Sequence, residues 1–210
     1  MRIVPNTGTD RIVDLARSAL ARGSRLDLMS PSFSLFAFAE LREQLRSIDA
    51  ARMILPADHA GLDLLGGPAD RAARNRLQTR WLAAEASDWV EGKSTVRCPP
   101  DNVPQSAVVV RDAAAYPSVS VLGSFAFTTD GFGMTPGHPM RVIQASETAA
   151  EAAQIAAWFD AMWEDLPDNT ASRTQLVATL RQLAAHRAPA EIYAQILKQM
   201  LGGDAALGED

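Results

Sequence analysis

Residues 119–133 read VSVLGSFAFTTDGFG, and the rest of the chain can be laid out around them. The apolar run 119–122 has the β-branched content of a strand, and the expected strand covers 118–127. It runs into Gly123-Ser124, then Phe-Ala-Phe-Thr, then Thr-Asp-Gly-Phe-Gly, a glycine-punctuated loop. Upstream, Ala107-Val108-Val109-Val110 marks a buried strand over 103–111, followed by a turn at 112–117. Downstream, one more strand is expected at 140–144. A helix at 147–164 comes next, with Ile155, Trp158, Phe159 and Met162 on one face. Trp158 and Trp163 read as core or interface residues.

The first half alternates helices and strands. Residues 10–21 place Ile12, Val13, Leu15, Ala16, Ala19 and Leu20 at helical spacing, with Thr9 as N-cap and Gly23 as stop. A short strand at 25–29 closes at Ser30-Pro31. Ser34 then caps a helix running to Leu45, and a second strand at 51–55 ends at Pro56. This order predicts a parallel pair joined by a crossover helix. A loop at 57–67, a long helix at 68–90 with Gly92 as its end, a strand at 95–98 and a turn at 99–102 follow. The tail is helical at 172–187 and at 190–201, and beyond Gly202-Gly203 its composition is that of a disordered segment. The expected divisions are a domain over 1–166, a helical extension over 167–203 and a tail over 204–210.

The chain has 210 residues, enough for one large domain or one domain with a small appendage. Its hydrophobic content of 47% is ample for a core. A net charge of −5 gives a whole-chain field that does not favour nucleic acid or an anionic membrane, which leaves local basic patches to be considered. One cysteine, Cys98, excludes an internal disulfide framework and suits a reducing, cytoplasmic compartment. No signal peptide is expected, because the first residues break at Pro5. No apolar run approaches the roughly 20 residues of a membrane span.

Gly123, Ser124, Phe127, Thr128, Gly131 and Phe132 resemble the second half of the active-site motif of the phospholipase D superfamily. In that family a strand runs into Gly-Ser-x-Asn-Phe-Thr and then Gly-Leu or Gly-Phe; here Ala126 stands in the Asn position. Residues 26–41 (LDLMSPSFSLFAFAEL) are similar to the first strand and helix of such domains, and 82–98 to the segment before their His-x-Lys motif. Residues 189–197 (PAEIYAQIL) resemble the helix that links such a module to the motor of bacterial Swi/Snf-type helicases. The resemblance implies an α/β fold: a phospholipase D-like half-domain with a mixed central sheet flanked by helices, plus a C-terminal helical extension. It also implies a helicase motor in cis or in trans, a chain either truncated or free-standing, and a setting in DNA processing or antiviral defence.

The family's reaction uses a histidine nucleophile, with a lysine and an asparagine holding the phosphate oxygens. Two such motifs face each other, so a homodimer through the 119–127 face is expected. Here the preceding strand begins Val103-Pro104-Gln105-Ser106-Ala107. If Pro104 and Ser106 fill the His and Lys slots, both are inert. If Gln105 and Ala107 fill them, Asp112 falls five residues on, where the family has its Asp, but nucleophile and lysine are still missing. The family's later Glu is replaced by the Gly137-His138-Pro139-Met140 region. Loss of the nucleophile removes the covalent path. No enzymatic activity, cofactor or metal is therefore expected.

Other residues carry weaker signals. His138 is either a displaced nucleophile or a polar histidine between turn residues. His59, with Asp58 and Asp63, has no second His or Cys at ligand spacing and reads as loop. His186 sits near a helix C-terminus. Gly92-Lys93-Ser94-Thr95 imitates the end of a phosphate-binding loop, but Ser87 stands where the earlier Gly belongs, and a helix precedes where a strand is needed. Arg71, Arg74, Arg76 and Arg80 form the densest basic run; they track phosphates or make a solvated face beside Asp70, Glu85 and Asp88. Ser124 and Thr128 either bind a phosphate or satisfy local backbone. The expected function is a catalytically inactive interaction or regulatory module accessory to a helicase or DNA-processing system. The alternatives are a residual phosphodiesterase or nuclease and a pure protein-docking scaffold. DNA is an expected partner and a membrane is not.

Overall fold

The computed structural model describes residues 1–57, 64–65, 79–168 and 170–185. The chain is an α/β protein with a seven-stranded mixed sheet. In chain order its described elements are β1 (Arg2–Ile3), α1 (Ile12–Ala19), β2 (Arg25–Met29), α2 (Leu35–Ser47), β3 (Ala50–Ile54), α3 (Thr79–Lys93), β4 (Ser94–Arg97), β5 (Ser106–Arg111), β6 (Pro117–Gly123), β7 (Ile143–Ala145), α4 (Ala149–Asp165) and α5 (Thr170–Ala185). The strand order is β1-β7-β6-β5-β2-β3-β4. β2, β3 and β4 run parallel, and every other pairing is antiparallel. The expected parallel pair with its crossover helix is β2-α2-β3.

Alternation along the strands divides the core into two layers. Leu26, Leu28, Met53, Val96, Val108, Val110 and Val121 share one cluster with residues of α1, α2, α3 and α5. Met29, Ile54, Ala107 and Val109 form the second cluster with Ile155, Phe159 and Trp163 of α4. α5 packs on α3 and β4, and its Leu176, Val177 and Leu180 join the first cluster. Trp89 of α3 is fixed to α2 by a hydrogen bond from its indole N–H to the Leu45 carbonyl at 2.8 Å. Among the described residues no helix is long and apolar enough to cross a membrane.

Several boundaries differ from expectation, each for a local reason. α1 starts at Ile12, and Thr9 is not its cap: the Ile12 amide donates instead to Asn6 Oδ1 at 3.0 Å. α2 is capped by Ser34, whose side chain accepts from the Phe36 amide at 3.2 Å. α3 passes through Gly92 to Lys93, because Lys93 Nζ is held by the Arg46 and Ile48 carbonyls, both at 2.6 Å, at the end of α2. β5 begins at Ser106, after Pro104, which has no N–H for a ladder. β6 ends at Gly123, a position that admits only glycine, since a Cβ there would lie 2.2 Å from the Val142 carbonyl oxygen. β7 starts at Ile143 rather than at 140, and α4 is set by a reciprocal capping box between Thr148 and Glu151. The edge strand β1 had no counterpart in the expected pattern. The helix expected at 190–201 and the helicase-linker resemblance at 189–197 lie outside the described residues.

Candidate functional site

The 123–133 loop leaves the sheet at Gly123 and folds over the face that carries α1 and α2. Ser30 and Phe33, just after β2, anchor it. The Phe127 amide donates to Ser30 Oγ at 2.8 Å, and the Ser34 amide donates to the Phe127 carbonyl at 2.8 Å. The Phe33 and Phe127 rings stack at 4.9 Å, and Phe132 meets Phe127 edge-on at 5.0 Å. These rings are buried, so the loop is an extension of the core. Its far end is held by Asn6, whose Nδ2 donates to the Gly131 carbonyl at 2.9 Å, and by α1, whose Val13 amide donates to the Phe132 carbonyl at 3.1 Å. The positive end of a helix thus receives a loop carbonyl. Gly131 is required by close approach, because a Cβ there would lie 2.0 Å from the Ala126 carbonyl oxygen.

Within this frame the two hydroxyls of the motif differ. Thr128 is buried; its Oγ1 donates to Asp130 Oδ1 at 2.7 Å and accepts from the Gly131 amide at 3.1 Å. Its hydroxyl is taken up locally. Asp130 is also paired with Arg141, Nη2 to Oδ2 at 2.6 Å. Burial alone would push the Asp130 carboxyl up, but hydrogen bonds from Thr128 and Arg141 and the Arg141 charge outweigh it and hold it below the usual carboxylate range. Ser124 is exposed: its amide donates to the Val142 carbonyl at 2.9 Å, and its hydroxyl has no hydrogen bond among the described residues.

The β5–β6 register pairs Ser106 with Gly123 and Ala107 with Leu122, so the start of β5 meets the end of β6. Ser106 is fully buried and its Oγ donates to the Phe125 carbonyl. It therefore lies on the loop side of the sheet, whereas Ala107 points into the α4 layer. Pro104 is exposed and Gln105 partly so, both ahead of the strand. Asp112 is at the opposite end of β5, in the hairpin turn, where its Oδ1 accepts from the Ala114 and Tyr116 amides at 2.9 Å each. Ala126 is partly exposed, and its carbonyl accepts from the Thr128 amide at 2.8 Å.

Of the basic run only Arg80 is among the described residues; its Nε donates to the Ala184 carbonyl of α5 at 3.0 Å. Arg71, Arg74 and Arg76 lie outside them, as do His59, Asp58, Asp63 and His186. His138 is exposed, and its Nδ1 accepts from the Met140 amide at 3.2 Å, a turn contact. Among the described residues no group of three or more His, Cys, Asp and Glu side chains could hold a metal ion. Along the expected dimer face, Val121, Phe125 and Phe127 are buried in the chain's own core, whereas Val119 and Leu122 are partly exposed.

A constellation that the sequence reading missed sits at the other end of the sheet. Asp27, only 1% exposed, takes Arg52 side-on, Nε to Oδ1 at 2.7 Å and Nη2 to Oδ2 at 2.8 Å, and Arg111 Nε to Oδ2 at 2.7 Å. Asp160 Oδ1 of α4 bridges Arg52 Nη2 at 2.6 Å and Arg111 Nη2 at 2.9 Å. Burial by itself would lower the Arg52 pKa, but its two carboxylate partners raise it above the ordinary value. Arg52 also lies over the Phe159 and Trp163 rings, at 5.2 and 5.4 Å. A charged residue at the centre of the Arg-Leu-Asp-Leu-Met strand was the available signal.

The chain matches no protein-family model and no curated protein. Among solved structures it is similar to TrmBL2, an archaeal chromatin protein whose structure shows a novel mode of DNA binding. That likeness has a TM-score of 0.41 and 10% identity, over 80% of this chain and 53% of that one. The chain thus spans about half the length of TrmBL2.

Proposed function

We propose that this chain is a catalytically inactive, phospholipase D-like interaction module, accessory to a helicase or another DNA-processing machine. The observation that carries the reading is the pairing of Ser106 with Gly123. It brings together the two strand ends that would carry a His-x-Lys motif and a Gly-Ser motif. The residues there, Pro104, Gln105, Ser106 and Ala107, include no nucleophile with a base and no cation to hold a phosphate oxygen. Ser106 is engaged with the Phe125 carbonyl, and Thr128 with Asp130 and Gly131. Packing of Phe33, Phe127 and Phe132 and the close approach at Gly131 hold the 123–133 loop in place, with Ser124 exposed at its surface, which is compatible with the reading.

The DNA part of this reading is tested by fluorescence anisotropy of labelled single- and double-stranded DNA against the purified chain across a salt series. Micromolar binding that weakens steeply with salt supports it. No binding at low salt contradicts it and leaves the protein-docking role.

A further inference from the structure

β5 runs from Ser106 at the motif end to Arg111 at the other, and the Arg–Asp constellation lies at that second end. Beside it a cavity of about 400 Å³ opens, with Arg25, Asp27, Asp49, Arg52, Arg111 and Asp160 as its charged lining. Asp27 is the fixed member, buried and bonded to both guanidinium groups. Asp160 is different. It is 43% exposed on α4 and uses only Oδ1 to bridge both arginines. Among the described residues no hydrogen bond reaches Asp160 Oδ2 or the Nη1 atoms of Arg52 and Arg111. The exposed Arg25 side chain, on the same face of β2 as Asp27, likewise has none.

We propose that this cavity binds a phosphomonoester, whose phosphate takes the place of the Asp160 carboxylate between Arg52 and Arg111, with Arg25 closing over it. Asp160 is then an internal occupant that leaves by side-chain rotation into solvent. Without it, Arg25, Arg52 and Arg111 outnumber Asp27 and Asp49 by one charge, so the cavity calls for an anion. Guanidinium pairs recognise planar and tetrahedral oxyanions through parallel N–H donors, and Asp27 holds these two in fixed orientation. A carboxylate ligand would replace Asp160 like for like and lose to its tether, whose effective concentration is on the order of millimolar. A phosphomonoester brings further oxygens, which the open Nη1 groups and Arg25 can take up. The cavity volume falls within the range of small-molecule sites, which points to a small phosphorylated molecule. The proposal is independent of the motif-loop reading, because the two sites share no residue.

The test is to titrate inorganic phosphate, and separately a 5′-nucleoside monophosphate, into the full chain while following the Arg52 and Arg111 Nε–H resonances by NMR. Chloride at matched ionic strength is the control. Saturable shifts of both resonances with phosphate, and not with chloride, are expected. Asp160→Ala should tighten phosphate binding by about tenfold or more, as for a site whose open form is populated to roughly a tenth or less. Arg25→Ala should weaken binding without lowering Tm. Tighter binding of the nucleotide than of inorganic phosphate supports a phosphorylated small molecule as the ligand; equal or weaker nucleotide binding overturns the phosphomonoester and leaves free phosphate. The proposal is overturned if neither arginine resonance shifts saturably in the wild-type chain, or if Asp160→Ala binds phosphate no more tightly. Should Asp160→Ala fail to fold, the wild-type titration and Arg25→Ala decide the matter.

Discussion

Ser106 faces Gly123 across the β5–β6 ladder, and its buried hydroxyl donates to the Phe125 carbonyl two residues beyond that glycine. A side chain at position 106 is therefore positioned under the motif loop and helps to shape it. Ser106→Ala removes the donor and leaves a carbonyl buried without its partner, at a cost of about 1–3 kcal/mol. Urea unfolding should show a lower midpoint with an unchanged m-value. A neutral result would mean that the loop carbonyl finds another donor.

Gly131 backs onto Ala126 so closely that any Cβ collides with backbone. Backbone, unlike the end of a flexible side chain, does not give way cheaply. Gly131→Ala should therefore displace the loop and destabilise the chain by about 1–3 kcal/mol or more. Hydrogen exchange should show lost protection at the Thr128-bonded amides of Gly131 and Phe132, with the β2–β3 pair unaffected.

Asn6 ties two elements together, accepting from Ile12 at 3.0 Å and donating to Gly131 at 2.9 Å. Asn6→Ala loses both contacts and should cost about 0.5–2 kcal/mol, the range of an N-cap loss, with the Gly131 bond adding to it. Asn6→Asp keeps the acceptor and a favourable charge at the helix N-terminus but loses the donor. It should fall between wild type and Asn6→Ala in thermal denaturation.

The Asp130 carboxyl is held below its ordinary value of 3.8 in the folded chain. The unfolded state then binds more protons than the folded one in the acid range, so this group's stabilisation is complete above its unfolded pKa and is lost as pH falls through the folded pKa. The stability gap between wild type and Asp130→Asn should be constant near neutrality and shrink below about pH 4. Arg141→Ala should flatten the same dependence, since Arg141 supplies one of the hydrogen bonds and the nearby charge.

The fold was legible where signals were local. The Ser34 cap, the β-branched run at 107–110 and the Pro56 break placed α2, β3 and β5 to within a few residues, and with them the parallel β2-α2-β3 unit. The α1 cap was not legible, because its acceptor is Asn6, across a turn from the helix it caps. The two registers weighed for Pro104, Gln105, Ser106 and Ala107 were equivalent in sequence. Which of them faces the loop depends on pairing with β6 and on the Phe125 carbonyl. Of the Asp27 constellation only the charge in the middle of an apolar strand was legible: its partners come from β3, β5 and α4, and only the sheet assembles them.

The most direct test of the account is turnover of bis(p-nitrophenyl) phosphate and of labelled single-stranded DNA by the purified chain, with and without a divalent cation, beside His138→Ala. The account predicts no hydrolysis above the uncatalysed background in either protein. Hydrolysis by the wild-type chain that His138→Ala abolishes would contradict it and would establish a displaced nucleophile on the 134–142 segment.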